Sequence, residues 1–538
     1  MILQVLWVAV VTGFLVATFK ASAEVLRRVR SPLGGIPGPK SSHWFFGNFG
    51  EIGDSVSHAS HEVIGEWNAR WGPTVSFYSV FRDKSLCTVD PKAVNHIMNR
   101  HNIYQKPKAQ SARLSLVLGK GLIFAEGDAH RHQRKVLMPA FGPTQIKALT
   151  EIFNEKSIQL RDVISDLIVN SKSGPLRVEA VKLLSQATLD IIGEAGFNYK
   201  FASLDTTKPP DELNRAFSAL IKGTNAGGLV SVLRFFVPWM QYLPTAQQKR
   251  AKVVQGTIAR IGNGLLTDAK AALASGDKSG AQGRDLLSLL VHANTAEDIP
   301  ASQRLSDKDV LAQVPTFLVA GHETTSTATS WALYCLTQSP DVQRKLREEL
   351  LQVSTDSPSM EELNSLHYLD HVVREVLRLH APVPMLMREA TEDDVIPLAT
   401  PVIDTRGRTC ESVRINKGDL VLISIKTINV STDTWGPDAL EFRPERWEDV
   451  PDKAHQVPGV WGNQLTFSAG PRACIGYKFS LVEFKALLFA LVRAFEFELA
   501  VPGSDIKGSA STVVQRPFVA SEPEKGVQLP LIIRPYVS

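Results

Sequence analysis

Cysteine is scarce in this chain of 538 residues, and the four that occur, Cys87, Cys335, Cys410 and Cys474, stand far apart with no CxxC pair. That speaks against a disulfide framework or a thiolate zinc site and fits a reducing compartment. Net charge is slight as well, +4 overall, too weak a field to recruit nucleic acid. Charged side chains are missing altogether from residues 1–19, MILQVLWVAVVTGFLVATF. The rest is ordinary globular material, 44% hydrophobic and 21% charged over the whole chain, so most of it packs a core and does not span a membrane. Length alone leaves the number of domains open.

About 20 uncharged apolar residues suffice to cross a hydrocarbon layer as one helix. Lys20, Arg27, Arg28 and Arg30 follow the N-terminal run, and Ala21-Ser22-Ala23 resembles a signal-peptidase site. Two readings therefore compete, a cleaved secretory signal and a retained anchor over residues 1–22. The basic residues all lie on the C-terminal side of the run, which favours the anchor and leaves the bulk of the chain in the cytosol. In that orientation the sequon Asn429-Val430-Ser431 stays unmodified. The basic, Pro/Gly-rich residues 23–40, ending in SPLGGIPGPK, stop the anchor helix and read as a hinge. Residues 41–538 form the globular remainder. In it the patterning predicts helices near 56–70, 144–170 and 178–195, and strands at 74–78, 85–89, 419–424 and near 527–533.

Chemistry concentrates in FSAGPRACIGYKFSLVEFKALLFALVRAF, residues 467–495. Leu481, Phe484, Leu488, Leu491 and Phe495 recur at helical spacing, so Cys474 stands just before the N-terminus of a buried amphipathic helix. The free N–H groups and macrodipole there favour an anion, which predicts a readily ionised thiol able to ligate a metal. Gly470 and Gly476 are expected to supply tight turns. Taken alone, Cys474 would be a small buried hydrophobe. A second stretch, residues 307–338, is a long apolar helix with an expected kink at Pro315 and a polar notch at Gly321, Glu323 and Thr324. Gly321 weakens the helix, and a planar group pressed against it would explain its presence. In a third stretch Glu375 and Arg378 stand three apart on one helix face. In a fourth, His130 and Arg134 share one face of a basic helix.

These stretches together resemble the cytochrome P450 family. Phe467, Gly470, Arg472, Cys474 and Gly476 match its F-x-x-G-x-R-x-C-x-G haem-thiolate loop. Ala320 to Thr325 match A-G-x-[D/E]-T-T, Glu375 and Arg378 match E-x-x-R, and Pro444-Glu445-Arg446-Trp447 stands where the family has Pro-Glu-Arg-Phe. Arg134 keeps the arginine of W-x-x-x-R, with His130 in place of the tryptophan. The Pro37-Gly38-Pro39 element is similar to the segment that follows the anchor of microsomal members. The resemblance spans about residues 30–535 and implies a mainly α fold with a small β portion, one large haem domain after a transmembrane helix.

It further implies haem b ligated by Cys474, with Arg134, Arg388, Arg472 and His130 seating the propionates and Phe467, Gly470 and Gly476 shaping the cofactor site. Thr324 would be the hydroxyl acting on dioxygen at the iron, and Glu323 a member of the proton-delivery path. Phe317, Ala320 and Val383 would face substrate, and Glu375, Arg378 and Arg446 would brace the cysteine loop. Residues 106–122 and 217–242 would form the lid and channel. With no flavin or nicotinamide domain in the length, electrons would come from NADPH through a separate reductase docking near Arg131, Lys135 and Lys478, with cytochrome b5 a further candidate partner. The implied reaction is insertion of one oxygen atom from O2 into a lipophilic molecule at the endoplasmic reticulum membrane. The run around Ala320 looks like fungal members, a branch that often oxidises terpenoids and other secondary metabolites; fatty-acid or xenobiotic hydroxylation is the alternative. An oxygen-independent haem-thiolate isomerase or dehydratase, or a haem sensor, would share the cysteine loop without needing Glu323 and Thr324.

Overall fold

The computed structural model describes residues 31–53, 60–171, 176–205, 246–274, 285–295, 304–509 and 513–537, with isolated positions between 4 and 18 and between 207 and 215. The anchor expected over 1–22 lies outside these residues save for Gln4, Trp7, Thr12 and Thr18, and so does the expected channel segment 217–242. Among the described residues no helix is long and apolar enough to cross a membrane.

In chain order, the first half contributes α1 (Ser60–Trp71), β1 (Thr74–Tyr78), β2 (Lys84–Thr88), α2 (Pro91–Asn99), β3 (Tyr104–Gln105), α3 (Gly127–Leu137), α4 (Pro143–Val169), β4 (Leu176–Glu179) and α5 (Ala180–Phe197). The second half contributes α6 (Asp307–Leu311), α7 (Gln313–Gln338), α8 (His367–Leu379), β5 (Met385–Ala390), β6 (Asp394–Ile403), β7 (Thr409–Ile415) and β8 (Leu420–Ser424). It closes with α9 (Tyr477–Ala494), β9 (Phe495–Leu499), β10 (Ile506–Gly508), β11 (Pro517–Val519) and β12 (Pro530–Pro535). The predominance of helix matches the expected fold class. The chain divides into two compact units, a smaller one of residues 1–54, 60–105 and 386–424, and a larger one holding 55–59, 106–385 and 425–538.

In the smaller unit the strand order is β1-β2-β8-β5-β3, with β2 and β8 parallel and β1 and β2 antiparallel. Asp90 organises one end: its carboxylate caps α2 through Ala93 N–H at 3.0 Å and also accepts from Ala399 and Thr400 N–H of β6. Pro91 opens α2, where a missing N–H costs nothing. The stretch 31–40, expected as a hinge, is instead docked on this unit. Ser76 N–H donates to Pro37 O at 2.9 Å, the Ser76 hydroxyl donates to Ile36 O at 2.7 Å, and Leu33 is fully buried.

In the larger unit α7 is the central element, packed by α5, α8 and α9, while α9 also lies against α4. Strands β4, β12 and β9 form a small sheet, and β10 pairs with β11. Strand β4 was missed in the sequence because its last two residues, Val178 and Glu179, read as the start of the helix expected over 178–195. The interruption expected from Pro315 lies one turn before it, where its missing N–H and its ring act: α6 and α7 separate at Ala312, and Pro315 sits in the first turn of α7. A proline is tolerated there, because the N–H it lacks has no intrahelical partner in a first turn.

Gly321 has a close neighbour within the protein itself. A Cβ at this position would approach the Ile192 side chain of α5 to 2.8 Å, so the close packing of two helices itself favours glycine. Gly321→Ala trades a helix-propensity gain of about 1 kcal/mol against an overpacking cost of roughly 1–3 kcal/mol. Denaturant melts should show net destabilisation, relieved when Ile192→Ala is added; equal additivity of the two changes would contradict the contact.

Candidate active site

The cysteine loop is held by its own backbone. Cys474 N–H donates to Phe467 O at 2.8 Å, Ala473 N–H donates to Gly470 O, and Ser480 N–H to Gly476 O opens α9. Gly470 has φ +64, the left-handed conformation expected of it. Gly476 does not: its φ is −93, and a Cβ there would meet only the Phe141 ring at an ordinary 3.6 Å. The expectation of a readily ionised thiol also needs correction. Cys474 is exposed, yet the atoms packed around its thiol push it up, against the Gly476 N–H and the Arg134 charge that pull it down. The helix start supplies the expected favourable groups, but desolvation is the larger effect. A bound metal cation would reverse the balance, since it deprotonates a thiol ligand outright.

Cations gather around this loop. Arg134 of α3 donates to Ala473 O at 2.7 Å, next to the cysteine, and Arg472 pairs with Glu126, the residue preceding α3. Lys106 reaches the other oxygen of Glu126 at 2.6 Å. His130 is buried one turn before Arg134. Glu126 and Lys106 escaped the sequence reading; the only signal for the first was its place at the helix start. Arg134 and Arg472 lie close enough for their charges to oppose one another, and both guanidiniums are held below their usual range chiefly by burial. Three cations with one acid beside a thiol leave surplus positive charge for a dianionic ligand. Arg388 belongs to the smaller unit, buried on β5 with Nη1 donating to Met387 O.

Helix α7 carries the acid and the alcohol. The Thr324 hydroxyl donates to Ala320 O at 2.7 Å, a bond within the helix that leaves its oxygen free to accept. Glu323 is buried, ion-paired with Arg516 and 3.1 Å from His322 Nε2. Nothing in the sequence singled out Arg516, which reaches Glu323 from the segment before β11. Phe317 meets Phe141 edge-on at 5.5 Å between ring centroids, while Val383 is half-buried. Glu483 of α9, another residue the sequence reading passed over, is fully buried, and burial pushes its carboxyl well above the usual range against the opposing Thr325 hydroxyl.

Glu375, Arg378 and Arg446 come together in a dry cluster. Arg378 grips Glu375 through two bonds of 2.9 and 2.8 Å, and Arg446 Nε adds a third at 3.2 Å. The tryptophan that replaces the family's phenylalanine takes part: Trp447 Nε1 donates to Glu375 at 3.1 Å. Arg378 continues to Asn429 O at 3.0 Å, and Asn429 in turn accepts from Leu465 N–H and donates to the Thr466 hydroxyl, both at 2.8 Å. Thr466 adjoins Phe467, the residue that anchors Cys474. Asn429 is fully buried, its side chain committed to the cysteine-loop strut.

A family model described as Cytochrome P450 matches residues 37–519. Cytochrome P450 monooxygenase 205 of Postia placenta is 51% identical, over 98% of this chain and 97% of its own length. Cytochrome P450 monooxygenase 128 of the same fungus is 48% identical, over 99% and 98%. Ganoderic acid synthetase of Ganoderma lucidum is 35% identical, over 88% and 89%.

Replacing Glu375 by alanine would leave the buried Arg378 guanidinium without its carboxylate, a loss of roughly 3–5 kcal/mol, while Arg446 keeps Asp438 at 2.9 Å. Urea denaturation of the Glu375→Ala protein should show a midpoint shift of that size, with a poor yield of folded protein; a shift within experimental scatter would contradict the brace.

Proposed function

This chain belongs to the cytochrome P450 family of monooxygenases, and we propose that it inserts one oxygen atom from O2 into a C–H or C=C bond of a lipophilic secondary metabolite, a terpenoid skeleton being the favoured class. The observation that carries the reading is the joining, within one unit, of the Cys474 loop and its cations with the Glu323–Thr324 pair on α7, the helix against which α9 packs. The family implies a haem-thiolate centre and electrons from a redox partner. The residues fit such a group: a thiol donor, surplus cationic charge for propionates, and an acceptor hydroxyl. Cys474 would ligate the iron; Arg134 and Arg472, with His130, would hold the propionates; Phe467, Gly470 and Gly476 would shape the loop around the cofactor. When bound, a haem with an axial thiolate supplies the oxygen activation that no side chain can.

The chain's own contribution is to bind, orient and move protons. Thr324 offers lone pairs, since its hydrogen is committed to Ala320 O, and Glu323 beside it is an acid held apart from bulk water. Phe317, Ala320 and Val383 would give an apolar wall that favours a lipophilic substrate. Exposed Arg131, Lys135 and Lys478 would receive an acidic, NADPH-fed reductase. Retention of residues 1–22 as an anchor, with the catalytic part on the cytosolic side of the endoplasmic reticulum, is supported by the uncharged run itself and by Trp44, which is 75% exposed shortly after it. Ganoderic acid synthetase among the relatives supports the secondary-metabolite class.

Purified protein reconstituted with a fungal reductase should consume oxygen in an NADPH-dependent way and oxidise members of a terpene panel. Haem binding without any reductase-dependent oxygen uptake would defeat the reading. Cys474→Ser should lose the thiolate-type absorption of the reduced carbonyl complex, and its retention would refute the ligand. Thr324→Ala should divert reducing equivalents into peroxide, by roughly tenfold if the hydroxyl acts as a proton-relay group; unchanged coupling would count against it.

A further inference from the structure

Lys106, Glu126 and Arg472 come from three distant stretches of the chain and meet beside the cysteine loop. Glu126 Oε1 accepts from Lys106 Nζ at 2.6 Å, while Oε2 accepts from the Arg472 guanidinium. The side chains of Lys106, Glu126 and Arg472 are 12%, 21% and 8% exposed, so solvent and salt screen their charges little. All three are fixed from behind. Glu126 immediately precedes α3, whose Arg134 donates to Ala473 O. Arg472 stands two residues before Cys474. Lys106 leads into the helix Lys108–Leu118, and just beyond that helix Leu122 N–H is tied to Gln313 Oε1 of α7 at 2.9 Å.

An acid in contact with Arg472 is at first sight misplaced, because the same guanidinium is assigned to a propionate, and two anions on one cation repel each other. Lys106 removes the difficulty, since it meets the other oxygen of the acid and cancels its charge. A guanidinium carries five N–H donors in one rigid plane. Glu126 engages it at Nη2, which fixes that plane and leaves other donors for a ligand. We propose that Glu126 is a positioning residue for the propionate seat, aiming Arg472, and that Lys106 is the counter-charge that lets it do so without repelling the ligand. Aim and charge are thereby divided between two side chains, both acting through Arg472. The proposal rests on the haem-thiolate reading of the site. Its distinctive consequence is electrostatic. An anion near the haem favours the ferric state, so removing Glu126 raises the midpoint potential, and removing Lys106 lowers it. A pair that served only to hold the fold together would not move the potential in opposite directions.

The test uses the full-length haem-loaded protein without substrate, with the midpoint potential read by spectroelectrochemical titration and haem loss by transfer to apomyoglobin. Glu126→Gln should raise the potential and speed haem loss by roughly tenfold, as for other residues that orient a cofactor's direct partners. Lys106→Gln should lower the potential. In the Glu126→Gln, Lys106→Gln double variant the potential should return close to that of the parent, while haem loss stays as fast as in Glu126→Gln, because the charge is rebalanced and the aim is not. Glu126→Asp keeps the charge and shortens the reach, so it should show the parent's potential with faster haem loss; it carries the test if Glu126→Gln fails to fold. Potential shifts of the same sign in the two single variants, or haem loss unchanged in Glu126→Gln and Glu126→Asp, would overturn the proposal. A parent that takes up no haem, or whose reduced carbonyl complex lacks the thiolate-type absorption, would defeat the haem-thiolate reading itself, whereas a properly loaded parent with indifferent variants would defeat this proposal alone.

Discussion

Burial of the Glu375 carboxylate between two guanidiniums is the constraint on which the cysteine loop depends. Isolated, each of these ions would be prohibitively costly in a dry interior. Together, and with Trp447 Nε1 and Arg443 N–H filling the remaining lone pairs, they form a satisfied network whose geometry is nearly fixed. Asn429 carries that rigidity to residues 465 and 466, and from there one backbone bond reaches Cys474. The stiffness of the network therefore sets the position of the thiol, which an isolated loop of glycines could not do.

The electrostatics of the site follow from a contest between burial and local charge. At Cys474 the surrounding packing pushes the thiol up against a backbone N–H and a nearby guanidinium that pull it down, and a bound metal cation would reverse that balance. At Glu323 an arginine and an imidazole enclose an acid that bulk water scarcely reaches. The two environments differ in kind: one is a thiol among cations, and the other is a buried carboxylate paired with Arg516. Helices α7 and α9, packed together, carry them in a single unit.

Much of this was legible in the chain because its signals are local. Helical spacing placed α4 within one residue at each end, and the i, i+3 pair Glu375 and Arg378 announced a shared face. Sequence patterning cannot see partners that arrive from distant segments. Glu126 on Arg472, Arg516 on Glu323 and Asn429 beneath the loop are all of that kind. Gly321 shows a subtler failure, for a glycine in a helix signals close approach without saying what approaches, and Ile192 is the neighbour that does. The stretch 31–40 misled in the opposite way: its prolines and glycines read as a hinge, while its carbonyls are tied to Ser76.

Isotopic labelling of oxygen addresses the central claim most directly. The reconstituted protein, given NADPH, a fungal reductase and a terpene that it converts, should place one 18O atom from 18O2 in each hydroxyl or epoxide formed and none from labelled water. Product oxygen derived from water, or product formed without dioxygen, would contradict the account.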